Sequence, residues 1–83
     1  MPLISVRVQN MEAVQYDVTV CDQYNNNAQV TGSPFTLASE GGLSPVFSVV
    51  ADSARNGMIS YSCDAGGPSQ IGVRVRNGTT VPF

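Results

Sequence analysis

Short runs of alternating apolar and polar residues, separated by clusters of Gly, Pro, Asn and Ser, follow one another along the whole chain. The clearest runs are residues 3–9 and 14–20, in which every second residue is apolar. A period of two is typical of a strand with one buried face. The side chains expected to face inward in these two strands are Ile4, Val6, Val8, Val14, Tyr16, Val18 and Val20.

Further strands are predicted from apolar content and from the turn residues that bound them. Residues 28–31 and 35–38 are short and flank Pro34, which favours a place at a sheet edge. Residues 46–51 are nearly continuous in apolar side chains, which predicts the central strand of a sheet. Residues 58–63 alternate, so their inward set is predicted as Ile59, Tyr61 and Cys63. Residues 40–45, which lie between the strands predicted at 35–38 and 46–51, are predicted as a loop.

The last part of the chain is predicted as a β-hairpin, with apolar residues alternating on both sides of the turn Arg76-Asn77-Gly78. A three-residue loop at this turn sets Val73 opposite Val81 and keeps the apolar side chains of both strands on one face. Gly78 would then adopt the left-handed backbone conformation. The side chains expected to share the buried face are Ile71, Val73, Val75, Val81 and Phe83.

These segments together amount to seven or eight short strands at intervals of about ten residues, without a helical period. We therefore expect an all-β fold made of one domain over residues 1–83, a small antiparallel β-sandwich of immunoglobulin-like or Greek-key type. A small barrel is the alternative architecture.

The two cysteines each end a predicted strand, and a bridge between them would stabilise the chain by about 4 kcal/mol through loop closure. Cys63 continues the inward set of its strand, whereas Cys21 lies on the polar set of its own, so a bridge requires a bulge or the end of pairing at Val20. Cys21 and Cys63 are a candidate disulfide. Two free thiols are one alternative, and an intermolecular link through Cys21 is another.

The tripeptide Tyr61-Ser62-Cys63 resembles the Tyr-x-Cys of immunoglobulin strand F, and Cys21 on an early strand is similar to the cysteine of strand B. The resemblance covers only these residues, and the tryptophan of the family's third strand is absent. It implies an immunoglobulin-like sandwich as one option for the architecture, and no function.

Composition removes most of the chemistry open to a small protein, because the chain has ten charged residues (four basic and six acidic) and no histidine, lysine or tryptophan. The commonest general base and the lysine nucleophiles are missing, so we expect no enzyme. Two cysteines without histidine cannot form a structural zinc site, and we predict no metal and no cofactor.

A net charge of −2 and few aromatic residues predict no nucleic-acid partner, and no apolar stretch approaches the roughly 20 residues that cross a membrane. The sequence begins without the charged and apolar regions of a secretory signal, which leaves either an internal protein or a leader removed earlier. An extracellular, virion or cell-surface location is slightly favoured over the cytoplasm.

One polar loop is the main candidate for a ligand site, because amides and a carboxylate beside an aromatic ring are the groups that recognise sugar hydroxyls. Its residues are Asp22, Gln23, Tyr24, Asn25, Asn26 and Asn27. A solvated hairpin loop is the alternative interpretation.

Two arginines form the second candidate site. Arg74 and Arg76 point the same way, about 7 Å apart on one strand, and Arg7 would join them if the first strand lies alongside. Such a group would bind an anion or an acidic partner, unless acids such as Asp17 pair with it.

The function we predict is a non-enzymatic binding or assembly module that self-associates or contacts a protein partner, because a surface rich in uncharged polar residues associates without desolvating ions. The edge beside Pro34 and the carboxy-terminal strand are the expected contact places. One alternative is a carbohydrate-binding domain that uses the 22–27 loop. The other is a small secreted inhibitor or toxin-like effector that presents residues 41–45.

Overall fold

The computed structural model describes residues 2–83, which form nine β-strands and one short 3₁₀ helix, Gln23–Asn25. The predicted all-β sandwich is confirmed, since the strands lie in two packed sheets, and the barrel alternative is wrong because the sheets do not close on each other. The strands are β1 (Leu3–Asn10), β2 (Tyr16–Asp22), β3 (Ala28–Gln29), β4 (Phe35–Leu37), β5 (Gly42–Leu43), β6 (Phe47–Val50), β7 (Asn56–Cys63), β8 (Ser69–Arg76) and β9 (Thr79–Pro82).

The first sheet is built around β1. Strands β5 and β6 pair antiparallel with successive parts of one side of β1, and β9 pairs parallel with the other side. The second sheet contains β2, β7 and β8 in that order, with β3 and β4 along the free side of β2. Strand β4, which follows Pro34, and the last strand β9 therefore lie at sheet edges, as the sequence predicts.

The core lies between the two sheets and is made by the inward alternation of their strands. Every second side chain of β1, β2 and β7 is buried, as the period of two requires, except that Tyr16 at the start of β2 is half-buried. Phe35 from the second sheet stacks on Phe47 from the first, with ring centroids 5.6 Å apart. The buried apolar residues are Ile4, Val6, Val8, Val18, Val20, Val30, Phe35, Leu37, Phe47, Val49, Ala51, Ile59, Tyr61, Cys63, Val75 and Val81.

The predicted central strand at residues 46–51 is wrong. Strand β6 pairs only with β1 in the described part of the chain and lies at an edge, while β1 has partners on both sides. The apolar run of this segment divides between two faces, because Phe47 and Val49 are buried whereas Val46 is 58% exposed. Residues 40–45 also differ from the predicted loop, since they contain β5.

The predicted hairpin between the last two strands is wrong as well. Strand β8 joins the second sheet, and the turn at Asn77-Gly78 carries the chain across to the first sheet, where β9 runs parallel to β1. The turn is held on β1, because the Ser5 amide donates to Asn77 Oδ1 at 2.9 Å and the Gly78 amide donates to the Ser5 carbonyl at 2.7 Å.

Two side chains predicted to face inward are exposed instead. Ile71 is 81% exposed because a β-bulge at Gly72, with φ +78°, inserts one residue into β8 opposite Ser60 and reverses the alternation before it. Val73 and Val75, after the bulge, face the core. Val14 is 52% exposed because it lies in the connection before β2, which begins at Tyr16.

The candidate disulfide is also wrong, because Cys21 and Cys63 are free. Both lie on the β2–β7 pair, but Cys63 is opposite Val18 on the inward face and Cys21 is opposite Ser60 on the outward face. Side chains on opposite faces of a sheet cannot bridge. Cys21 therefore faces outward, as its position among the polar residues of the alternating pattern indicates.

Gly78 has the left-handed backbone predicted for it, with φ +82°, and a Cβ there would meet no atom within 4 Å. We expect Gly78→Val to lower the free energy of unfolding by about 1–2 kcal/mol, because a β-branched residue is strained at this φ although space is free. Gly78→Asn is the matched control and should cost less, since Asn tolerates left-handed backbone. Equal urea midpoints for Gly78→Val and the parent would contradict the strain argument.

Candidate functional site

The polar loop after β2 begins with a carboxylate that the fold already uses. Asp22 is 4% exposed, and its Oδ2 accepts a hydrogen bond from the Val50 amide of the first sheet at 2.8 Å. Its Oδ1 accepts from the Tyr24 amide at 3.2 Å, which caps the 3₁₀ helix. Both carboxylate oxygens are therefore engaged in joining the sheets and closing the turn.

The other residues of this loop lie at the surface. Tyr24 is 39% exposed, Gln23 is half-buried, and Asn25 is exposed. Asn26 and Asn27 are exposed and have left-handed backbone, with φ 54° and 56°. The loop thus presents amides and one aromatic ring to a ligand, but not the carboxylate that the sequence placed among them.

The two candidate arginines are separated from Arg7. Arg74 and Arg76 are exposed on β8 of the second sheet, and Arg76 Nε donates to Asn56 Oδ1 at 3.0 Å. Arg7 lies on β1 of the first sheet, where its Nε donates to the Ser44 carbonyl at 3.1 Å. Asp17, the acid expected as a partner of these arginines, accepts a hydrogen bond from Thr36 Oγ1 at 2.7 Å.

The segment proposed for an inhibitor is part of the first sheet. Gly42 and Leu43 pair with β1, and Ser44 is buried, with its Oγ accepting from the Val8 amide at 3.0 Å. Among Gly42, Leu43 and Ser44, only Leu43 has an exposed side chain, which is 47% exposed. The segment is therefore held by main-chain pairing and is not an open loop.

Residues 2–83 contain no group of three or more Cys, Asp or Glu side chains placed to hold a metal ion. No helix in the described chain is long and apolar enough to cross a membrane.

Burial raises the pKa of the Cys63 thiol, and the nearby charges of Asp64 and Glu12 raise it further. Burial also raises the pKa of Tyr61, whose hydroxyl donates to Gln70 Oε1 at 3.2 Å. Both groups are therefore held in their protonated forms.

A feature that the sequence analysis missed is the outer face of the second sheet, where β2, β7 and β8 turn small uncharged side chains to the surface. We call this the hydroxyl face. It surrounds a shallow hollow of about 280 Å³ beside the exposed Ile71. The alternation of the strands predicts that these residues face outward, but it does not indicate that they lie together on one face. The residues of the hydroxyl face are Thr19, Cys21, Ser60, Ser62, Ser69 and Ile71.

Charged residues border the hydroxyl face at its two ends. At one end Asp17 and Asp64 lie side by side, since the Asp17 amide donates to Asp64 Oδ1 at 3.0 Å. At the other end Arg74 lies on β8 opposite Met58 on β7. The face is therefore acidic at one end of its strands, basic at the other, and uncharged between.

The first sheet has a smaller hollow on its own outer face, of about 240 Å³. Arg7 is the one charged residue that lines it, and its guanidinium is already tied to Ser44 through Nε. The lining residues are Ser5, Val6, Arg7, Val46, Gly78, Thr79 and Thr80.

Comparisons of the chain with protein-family models, with curated proteins and with solved structures found no match.

Proposed function

We propose that this domain is a non-enzymatic assembly module that associates with a second copy of itself. The observation that carries the proposal is the hydroxyl face, where Ile71 is 81% exposed among uncharged side chains. Covering an exposed isoleucine with a partner's surface removes apolar area from water and so gains free energy. The hydroxyls around it can exchange water for a partner's polar groups without the cost of burying an ion.

The reactive groups support binding over catalysis. The chain has no histidine or lysine to serve as a general base, and the pKa of the buried Cys63 thiol is raised, which is opposite to the shift that activates a nucleophile. Cys21 lies on the hydroxyl face beside Ser60, with no basic side chain in that set of residues.

The two alternatives rest on the loops, and the geometry favours neither over the hydroxyl face. A carbohydrate site at Gln23 to Asn27 has lost the free carboxylate of Asp22 to the fold. An inhibitor segment at residues 41–45 is engaged with β1 through main-chain pairing and exposes only Leu43 and Pro45.

Size-exclusion chromatography with light scattering, over a wide range of loading concentrations, tests the proposed self-association. We expect the average mass to rise with concentration from the 8.7 kDa of one chain toward twice that value. A mass that stays at one chain at the highest concentration would contradict the proposal. Elution with a sugar or inhibition of a protease would favour the corresponding alternative.

A further inference from the structure

We propose that two copies pair through their hydroxyl faces about a two-fold axis that runs across the strands, so that the two Ile71 side chains meet at the β8 side of the joined hollows. This arrangement rests on the proposed self-association and specifies its surface and geometry. Its occupant is a second copy of this chain.

The bulge on β8 supplies the first argument. Regular alternation with Val73 and Val75 would turn Ile71 toward the core, and the extra residue at Gly72 turns it outward beside the hollow. Gln70 is opposite Tyr61 at the middle of the face, so Ile71 lies next to a two-fold axis that crosses the strands there. That axis keeps each Ile71 over β8 of the other copy and brings the two side chains together beside Ser69, at the edge of the hollow.

Strand register supplies the second argument, since it places the charged ends symmetrically. Thr19, Ser62 and Ser69 form one row across the face, and Cys21 and Ser60 form the next outward row. We call the line between these two rows the midline. Asp17 on β2 lies three residues from the midline in one direction, and Met58 on β7, with its partner Arg74 on β8, lies three residues from it in the other direction. At about 3.3 Å per residue, both ends are about 10 Å from that midline.

This symmetry selects one orientation of the partner. A two-fold axis along the midline lays the Asp17 and Asp64 end of each copy over the Arg74 end of the other, which gives two attractive contacts. An axis along the strands would instead lay acid over acid and arginine over arginine. Charge complementarity therefore favours the antiparallel pair of faces over the parallel one.

The size of the face sets the expected strength. Three strands about 4.8 Å apart over six residue intervals span about 10 by 20 Å between strand axes. This is smaller than the standard interface of about 800 Å² for each partner. We therefore expect a weak, concentration-dependent dimer, for which covalent capture is the suitable measurement.

Cys21 provides that capture, because it lines the hollow one residue from the midline whereas Cys63 is buried on the opposite side of the sheet. Two-fold pairing brings the two Cys21 side chains within reach of a short bismaleimide. We expect the native protein to give a cross-linked dimer whose yield falls on dilution, and Cys21→Ser to give none.

Two further sets of variants test the contacts themselves. Ile71→Ser should weaken dimerisation by about tenfold, while Val14→Ser, an equally simple change at an exposed valine outside the hydroxyl face, should leave the yield unchanged. Arg74→Asp and Asp64→Arg should each lower the yield, and the double variant should restore it. Thermal melts of each variant confirm that it is folded.

The outcomes separate this inference from the proposed function. A folded protein whose mass doubles with concentration, but which does not cross-link through Cys21 and does not respond to Ile71→Ser, would overturn the hydroxyl-face dimer and leave self-association standing. A protein that stays monomeric at every concentration would overturn both. Failure of the double charge variant to recover, with both single variants impaired, would overturn the antiparallel orientation.

Discussion

Asn10→Asp is expected to destabilise the domain by about 4 kcal/mol at neutral pH, a large part of the roughly 4 to 12 kcal/mol available to a chain of this size. Asn10 is fully buried at the end of β1. Its Nδ2 donates to the Val14 carbonyl at 2.8 Å and to the Leu37 carbonyl at 3.2 Å, while its Oδ1 accepts from the Glu12 amide at 2.9 Å. Aspartate has the same shape but turns an acceptor toward two carbonyl oxygens.

The effect of Asn10→Asp should depend on pH. Burial and the two carbonyl oxygens disfavour the ionised carboxylate, so its pKa in the folded state lies above the value of about 3.9 in the unfolded chain. The folded protein then binds the proton more tightly, and the loss relative to the parent grows as pH rises from about 4 toward 7. Below pH 4 the protonated carboxyl can donate to one carbonyl and recover part of the loss.

Urea unfolding of parent and variant at pH 4 and pH 7 measures both effects. Asn25→Asp is the matched control, because Asn25 is exposed on the 3₁₀ helix and the same chemical change there should cost little at either pH. A loss for Asn10→Asp that is small, or that is the same at both pH values, would show that the three hydrogen bonds of Asn10 do not govern the stability of this corner.

Asp22→Ala is expected to lower the free energy of unfolding by about 3 kcal/mol, since it removes two hydrogen bonds to a charged group. It also leaves the Val50 amide of β6 without the acceptor that Asp22 Oδ2 provides at 2.8 Å. Asp22→Asn should cost less, about 1–2 kcal/mol, because the amide oxygen can still accept from Val50 while its NH₂ group faces the Tyr24 amide. The two variants together separate the bond between the sheets from the cap of the 3₁₀ helix.

Glu12→Ala is the control for Asp22→Ala, because it removes an exposed carboxylate of similar reach. Denaturant midpoints and slopes of all three variants give the comparison. Equal midpoints for Asp22→Ala and Glu12→Ala would contradict a structural role for Asp22. The result also bears on the carbohydrate alternative, since a loss of binding by Asp22→Ala would reflect a weakened fold and not a lost ligand contact.

Inside–outside alternation along the chain predicted much of the fold. The period of two alone predicts which side chains of β1, β2 and β7 face inward, because a strand with one buried face alternates apolar and polar residues. The exception is Val14, which lies before the start of β2. The left-handed backbone predicted for Gly78 is also present, although the hairpin register from which it follows is wrong. The alternating pattern also places Cys21 on the outward face correctly, although a disulfide with Cys63 would require it to face inward.

Strand partners could not be predicted, because pairing is decided between segments far apart in the chain. The hairpin expected at Asn77-Gly78 satisfied its local apolar register, yet β9 pairs with β1, more than 70 residues earlier. The inward orientation expected for Ile71 is wrong because one inserted residue at Gly72 reverses the face on which it lies, and no apolar pattern marks where a bulge falls. The apolar run at residues 46–51 predicts a central strand because nothing in the run indicates that Val46 points outward.

The candidate sites show the same division between local and distant information. Loop chemistry drew attention to Asp22, but the partner that engages its second oxygen is Val50 on the other sheet. The hydroxyl face was invisible in the sequence because its members come from three strands, and each appears there as an ordinary solvent-facing Ser or Thr. Register alone brings them together.

The parallel pairing of β1 with β9 has a consequence for synthesis. As the chain leaves the ribosome, β1 emerges before the other strands of this domain, yet one of its two lateral edges lacks its partner until residues 79–82 have been translated. The nascent first sheet is thus incomplete while all the residues between β1 and β9 are synthesised, and its completion joins distant parts of the domain. Such high contact order predicts folding on the millisecond-to-second scale and a vulnerability to premature strand pairing on crowded polysomes.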